Sequence, residues 1–170
     1  MSSEVPPKAE LVARLMDEMR AISTVTILFH QAVADRLGLS VTDHKCAGML
    51  MESGPMTAGE LAKRTGLTTG AITGVIDRLE QAGFAHRKRD ADDRRRVIIE
   101  PDLKRIERKI VPLFDSMGRS AAALYERYSA AELALILDFA VRSRAAAEEE
   151  TRKLREAAAP EKPRTARKNE

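Results

Sequence analysis

The chain has 170 residues, 44% hydrophobic and 32% charged, with a net charge of +3; that is enough for one self-supporting core, and so small a cationic excess matters only where it is clustered. A single cysteine excludes an internal disulfide framework and suits a reducing cytoplasm, and no apolar run approaches the roughly 20 residues of a membrane span. Four Phe, two Tyr and no Trp, set against plentiful Ala, Leu, Arg and Glu, favour a mainly helical chain.

Residues 1–7 read as a flexible N-terminus. Leu11, Leu15, Met19, Ile22, Thr26, Phe29, Val33 and Leu37 then step by threes and fours, predicting a helix over 8–37 that is long for a domain of this size and is closed by Gly38. Ser40 and Asp43 have the spacing of a capping box, in which the hydroxyl and the carboxylate each take a backbone N–H of the other residue. The helix they open carries Cys46, Met49 and Leu50 and stops at Gly54-Pro55.

The segment 57–99 is the most informative. Thr57 and Glu60 form a second capping box, Leu61 and Ala62 supply the inner side of a short helix, and Thr65-Gly66-Leu67 make a tight turn with Leu67 placed to plug the corner. A second helix is predicted over 68–82, with Gly83 just past its end. At about 100° per residue, Ile72, Val75, Ile76 and Leu79 share one face. Gly70, Thr73, Gly74, Asp77 and Gln81 fall opposite, flanked by Thr69 and Arg78. That outer face is small and polar near its start, so it can approach base edges: Thr offers a hydroxyl and a methyl, and Gly removes bulk. Two strands are predicted at 84–89 and 94–100 around a polar tip at 90–93, and Arg87, Lys88, Arg89, Arg94, Arg95 and Arg96 make the hairpin cationic. Arginine at a hairpin tip suits the minor groove, where an adjacent Asp holds the guanidinium extended.

Residues 102–128 read as a helix with Ile106, Ile110, Leu113, Met117, Ala121 and Leu124 inward, kinked or broken near Lys109 by Pro112. Ser129 and Glu132 form a third capping box, and Leu133, Ile136, Leu137, Ala140, Arg144 and Ala147 continue a stripe toward Leu154. The tail 158–170 reads as disordered.

Leu61-Ala62, Gly66-Leu67, the Ile-Asp-Arg-Leu-Glu run at 76–80, Gly83 and the Asp-Arg-Arg at 93–95 resemble the winged helix-turn-helix of the MarR family of bacterial transcriptional regulators. The resemblance implies a mainly α protein: a DNA-binding domain at 40–100, and long terminal helices at 8–37 and 102–157 forming a dimerisation region. It also implies that the helix from Thr68 reads the major groove, that Arg95 enters the minor groove oriented by Asp93, and that Arg87 is the basic residue following the reading helix. The chain departs from the family pattern at 99–103, Ile-Glu-Pro-Asp-Leu where Leu-Thr is common, and at Gly70 and Gly74, so base preferences do not transfer.

The DNA-binding residues expected are therefore Thr68, Thr69, Gly70, Thr73, Gly74, Asp77 and Arg78 on the helix and Arg87, Arg89, Asp93, Arg94 and Arg95 on the wing, with Thr57, Lys63 and Arg64 as candidate phosphate contacts. Long apolar stripes that a winged domain of about 60 residues cannot bury predict a homodimer whose reading helices lie about one DNA turn apart on a pseudo-palindrome. Steric repression of a promoter and release by a small ligand are implied by the resemblance. So is a crevice between the dimer helices and the winged domain, for which Arg20, His30, His44 and Cys46 are the polar candidates. His44 reads as a surface residue and Cys46 as a small buried hydrophobe; the reactive cysteine of oxidation-sensing relatives has no counterpart near the start of the first helix. No cofactor, metal cluster, phosphate loop or nucleophile elbow is found, the three histidines being far apart in sequence, so no enzymatic activity is expected. The competing reading is a winged-helix protein-interaction module, which predicts weak, non-selective DNA affinity and a wing tolerant of charge reversal.

Overall fold

The computed structural model describes residues 5–90, 93 and 95–157, which form two compact units divided between Asp115 and Ser116. In the first unit the order is α1 (Lys8–Leu37), α2 (Val41–Ser53), β1 (Met56–Thr57), α3 (Ala58–Thr65), α4 (Thr69–Gln81), β2 (Ala85–Arg89), β3 (Val97–Pro101) and α5 (Leu103–Lys109). A 3-10 turn at Val111–Leu113 follows, then α6 (Asp115–Tyr125) and α7 (Ala130–Ala157). The three strands make one antiparallel sheet in the order β1-β3-β2.

The local signals act as expected. Ser40 Oγ accepts from the Asp43 N–H while the Asp43 carboxylate accepts from the Ser40 N–H, both at 3.1 Å. Thr57 and Glu60 repeat the exchange for α3, as do Ser129 and Glu132 for α7. Each such cap satisfies two backbone donors that the helix itself leaves unpaired.

The core lies where α2, α3, α4, the sheet and α5 converge. Leu50, Leu61, Ile72, Ile76, Leu79, Ile99 and Ile106 are fully buried there, each contributing about 1.5–3 kcal/mol relative to exposure. The i, i+3, i+4, i+7 set Ile72, Val75, Ile76 and Leu79 is therefore the inner face of α4. Leu67 packs against the same cluster at the corner.

Gly83 turns the chain from α4 into the wing. Its φ is +73°, the Gly83 N–H donates to the Glu80 carbonyl at 2.9 Å and the Phe84 N–H to the Leu79 carbonyl at 2.8 Å, the paired bonds of a Schellman ending. A Cβ at this position would also stand 3.1 Å from Arg105 Nε, and Arg105 lies over the Phe84 ring at 5.4 Å. Gly83→Ala is expected to cost about 1–2 kcal/mol from the left-handed backbone alone, read as a lowered midpoint in urea unfolding.

Two features differ from the sequence expectations, and a third decides between the kink and the break expected near Lys109. Strand β1 was not anticipated, because two residues carry no periodic signal; Met56 pairs with Ile99 and Thr57 with Ile98, closing the sheet onto the start of α3. The helix expected over 102–128 is broken rather than bent. Pro112 has no N–H for the Arg108 carbonyl, so α5 ends at Lys109 and the chain tightens into the 3-10 turn before α6. The inward stripe also stops there: Ile106 and Ile110 are buried, but Met117 and Leu124 are exposed within the single chain.

The second unit carries a long amphipathic helix. On α7 the pairs Arg142–Asp138, Arg144–Glu148, Arg152–Glu156 and Lys153–Glu150 run along the exposed surface at i, i+3 or i, i+4, where screening by water leaves each only a minor contribution to helix stability. Leu135, Ile136, Leu137, Phe139, Val141 and Leu154 remain exposed. The 158–170 tail lies outside the described residues.

Candidate nucleic-acid interface

Helices α3 and α4 are joined by Gly66, at φ +73°, and Leu67, which swings the polar face of α4 outward while its apolar face seals the core. Thr68 caps α4: its Oγ1 accepts from the Ala71 N–H at 3.3 Å, leaving the hydroxyl proton free to donate outward. Thr73 donates its hydroxyl to the Thr69 carbonyl at 3.0 Å. Thr68, Thr69, Gly70, Thr73 and Asp77 are exposed and Gly74 half-buried. A Cβ at Gly70 would meet nothing within 4 Å, whereas one at Gly74 would lie 3.3 Å from Arg78 Nη1. Glycine at 70 thus costs about 1 kcal/mol of helix propensity relative to Ala and relieves no crowding within the chain.

The wing is the β2–β3 hairpin, in register from Ala85–Pro101 to Arg89–Val97. The Asp90 N–H donates to the Arg96 carbonyl at 3.0 Å and the Arg96 N–H to the Asp93 carbonyl at 2.8 Å. At the tip, Asp93 Oδ1 accepts from both the backbone N–H of Arg95, at 3.0 Å, and its Nε, at 3.2 Å. Those bonds to Arg95 hold the Asp93 carboxyl below its ordinary range. The Arg95 side chain is nevertheless 92% exposed: Asp93 holds one edge of its guanidinium, through Nε and, at 3.5 Å, Nη2, and most of its surface stays open. Arg89 is exposed on β2. Arg94 lies outside the described residues.

Arg78 and Arg87, both expected contact residues, are tied to carboxylates on other elements of the fold. Arg78 makes a two-pronged bridge, Nε to Asp43 Oδ2 at 2.9 Å and Nη2 to Asp43 Oδ1 at 2.8 Å. Asp43 is fully buried, so burial pushes its pKa up, but the hydrogen bonds from Arg78 and Ser40 outweigh that and leave the carboxyl below its ordinary value. Arg78 therefore fixes α4 to α2. Arg87 likewise donates to Asp77 Oδ1 at 2.6 Å and to the Glu80 carboxylate, which also accepts the Arg87 N–H at 2.7 Å. Arg87 thus ties the wing to α4 and offsets the charge of the Asp77 and Glu80 carboxylates. Neither partner, Asp43 or Glu80, was singled out from sequence beyond capping and family pattern; a pair 35 residues apart leaves no local signal.

Among the candidate phosphate contacts, Lys63 is exposed, Arg64 donates to Ser53 Oγ at the end of α2, and the Thr57 hydroxyl is committed to its capping box.

The four effector candidates separate. His30 and His44 converge at 3.2 Å, Nδ1 to Nε2, despite lying on different helices. Both line a cavity of about 480 Å³ with Met49, Ile106, Ile110 and Phe114. His44 is buried, against the expectation of a surface residue, because the α1–α2 packing and the Phe114 ring, 6.0 Å away, cover it. Arg20 does not line this cavity; it is exposed on α1 and paired with Asp17. Cys46 is fully buried in the core and also absent from the lining, with burial pushing its thiol up to about 11. Native protein at pH 7 is therefore expected to resist alkylation by iodoacetamide, with mass spectrometry detecting modification only after denaturation. Among the described residues no group of three or more His, Cys, Asp or Glu side chains could hold a metal ion, and no helix is long and apolar enough to cross a membrane.

A short helix, a tight turn, a reading helix with a small polar face and an arginine-tipped hairpin together define a winged helix-turn-helix DNA-binding protein. The MarR family sequence model matches residues 39–97. The uncharacterised HTH-type transcriptional regulator YcgE of Bacillus subtilis (strain 168) is 44% identical over 88% of this chain and 96% of its own. A MarR family protein from Bacillus stearothermophilus superposes with a TM-score of 0.61 at 25% identity, covering 86% of this chain and 99% of that one. The YusO protein of Bacillus subtilis shares the fold, with a TM-score of 0.60 at 16% identity over 83% of this chain and 99% of its own. The chain belongs to the MarR family of transcriptional regulators, which are non-enzymatic DNA-binding proteins.

Proposed function

We propose that the protein is a homodimeric repressor that grips a pseudo-palindromic operator through two reading helices and two wings and is released by a small ligand. The observation that carries this reading is the joint exposure of the α4 polar face and of Arg95, the latter held by Asp93. Thr68, Thr69, Gly70 and Thr73 are assigned to base edges and nearby phosphates, Arg89, Arg94 and Arg95 to the wing's contacts, and Lys63 to a phosphate. Arg78 and Arg87, bound to carboxylates of the same chain, are assigned to positioning these groups.

The dimerisation region is assigned to 8–37 and 102–157. Leu11, Leu15, Met19 and Ile22 keep the heptad-like spacing of a buried stripe yet are 38–53% exposed in one chain, and the apolar positions of α6 and α7 behave alike. A second copy is the partner that removes them from water. Two reading helices about 34 Å apart would then meet successive major grooves.

Release is assigned to the His30–His44 cavity. Its lining comes from α1, α2, α5 and the 3-10 turn, and His44 directly follows Asp43, whose bridge to Arg78 carries any displacement of α2 to the reading helix. Both heads must meet a rigid groove at once, so a small change in their spacing lowers affinity steeply.

Selection of bound duplexes from a random pool at physiological salt tests the DNA-binding half. Enrichment of an inverted repeat with half-sites one turn apart is the expected result; weak binding without sequence enrichment would instead favour the protein-interaction module.

A further inference from the structure

We propose that the His30–His44 pair makes its cavity a proton-coupled receptor, which takes up an amphipathic organic anion together with one proton, so that the ligand binds more tightly as pH falls. The inference rests on the reading of this cavity as the ligand site, and it concerns what the site selects and how binding responds to acid.

The geometry sets the number of protons. Two neutral imidazoles carry two N–H groups on four nitrogens, and the contact between His30 Nδ1 and His44 Nε2 at 3.2 Å uses one N–H and one lone pair. One donor and one bare nitrogen are left, on His30 Nε2 and His44 Nδ1 in whichever order the tautomers choose. His44 Nδ1 is buried without a hydrogen-bond partner within the chain, so a ligand group that pairs with it relieves a buried unsatisfied atom. One added proton converts the bare nitrogen to a donor and leaves the central bond intact. A second would set two N–H groups face to face and break it. The pair therefore accommodates one positive charge, shared between the rings, with a donor on each side.

The surroundings explain why that charge awaits a ligand. Burial, reinforced by the neighbouring ring and by Lys45, pushes His44 down to about 4, and burial with Lys45 lowers His30 as well. The empty site is thus neutral at pH 7. The charged groups facing it are Lys45 and Glu52, both from α2; α1 brings His30 itself, and α5 with the 3-10 turn brings only Ile106, Ile110, Val111 and Phe114. An anion in the cavity would remove the disincentive to protonation, because an opposite charge within hydrogen-bond reach favours the imidazolium. The remaining wall, with Met49, Met51 and Phe114, accepts a flat apolar body through sulfur–aromatic and ring contacts. A volume of about 480 Å³ lies in the range of small-molecule sites.

The test uses the full-length protein with 1-naphthoate as anionic probe and 1-naphthamide as its neutral counterpart, by titration calorimetry in phosphate and in Tris. Buffers of different ionisation enthalpy report protons taken up. The expected result is uptake approaching one proton per protomer with naphthoate at pH 7, a Kd that weakens by up to about tenfold per pH unit above pH 6.5, and no uptake with the amide. The double variant H30Q/H44Q is expected to bind naphthoate weakly and without uptake; should it not fold, the acid–amide comparison in the wild type still decides. Naphthoate binding without uptake, equal uptake with the amide, or uptake that persists in the folded double variant would overturn proton coupling while leaving the cavity a ligand site. Failure of both probes to bind at millimolar concentration would remove the ligand-site reading and this inference with it.

Discussion

Arg78→Met is expected to destabilise the protein by about 3 kcal/mol at pH 7 and to invert the acid limb of its stability profile. Removing one partner of a buried, two-pronged ion pair leaves the other charge uncompensated, and that loss is typically about 3–5 kcal/mol; the lower end applies because the Arg78 side chain is half exposed and the Ser40 N–H still reaches Asp43. In the wild type the Asp43 carboxyl sits below its ordinary value. Its contribution is therefore complete above the unfolded-state value near 4 and is lost as pH falls through the lower folded-state value. Without Arg78, burial dominates and raises that carboxyl, so the folded state holds the proton more tightly than the unfolded chain. The variant then gains stability as pH falls from 7 toward 4, over the interval where the wild type shows no change from this group. Urea unfolding at a series of pH values reads the sign directly. A variant whose midpoint declines in parallel with the wild type would show that the bridge contributes no differential stability.

Arg95→Ala is expected to weaken operator binding by about 1–3 kcal/mol, roughly 5- to 150-fold, and to relax the preference for A/T pairs beneath the wing. The side chain is the most exposed of the wing's ion-paired arginines among the described residues, so its removal leaves packing and fold stability unchanged. Asp93→Asn keeps the cation but loosens the bonds at its root, so a smaller loss in the same direction is expected. Lys63→Ala makes the contrast: losing the phosphate contact proposed for Lys63 lowers affinity on all duplexes alike and reduces the slope of log affinity against log salt by about 1. Fluorescence anisotropy on selected and scrambled duplexes at several salt concentrations separates the two patterns. An equal loss on every duplex for Arg95→Ala would assign it to the phosphates instead.

The parts of this fold that were legible in the sequence are those whose signal is local. Capping boxes at Ser40, Thr57 and Ser129, the helix spans bounded by Gly38 and Gly83, the α4 core face and the Asp93–Arg95 pairing each reside within a few residues. What escaped depends on contacts between distant segments. Strand β1 exists because Ile98 and Ile99 offer it an edge. Arg78 reads as an outward flank of α4 until α2 brings Asp43 to it, and Arg87 reads as a free wing cation until Asp77 and Glu80 close on it. The histidines appeared unrelated in sequence, yet helix packing makes them neighbours. Pro112 announced a disruption, and the backbone resolved it as a break because a 3-10 turn accepts proline near its start.

The central claim is that α4 enters the major groove in both halves of an operator one helical turn apart. Affinity cleavage tests it directly: Thr69→Cys, on the exposed start of α4, carries an iron chelate while buried Cys46 stays unreactive, and the complex is formed on a duplex obtained by selection. The account predicts two cleavage clusters with the strand offset of the major groove, centred about 34 Å apart along the axis. Cleavage confined to one half or diffuse along the duplex would contradict it.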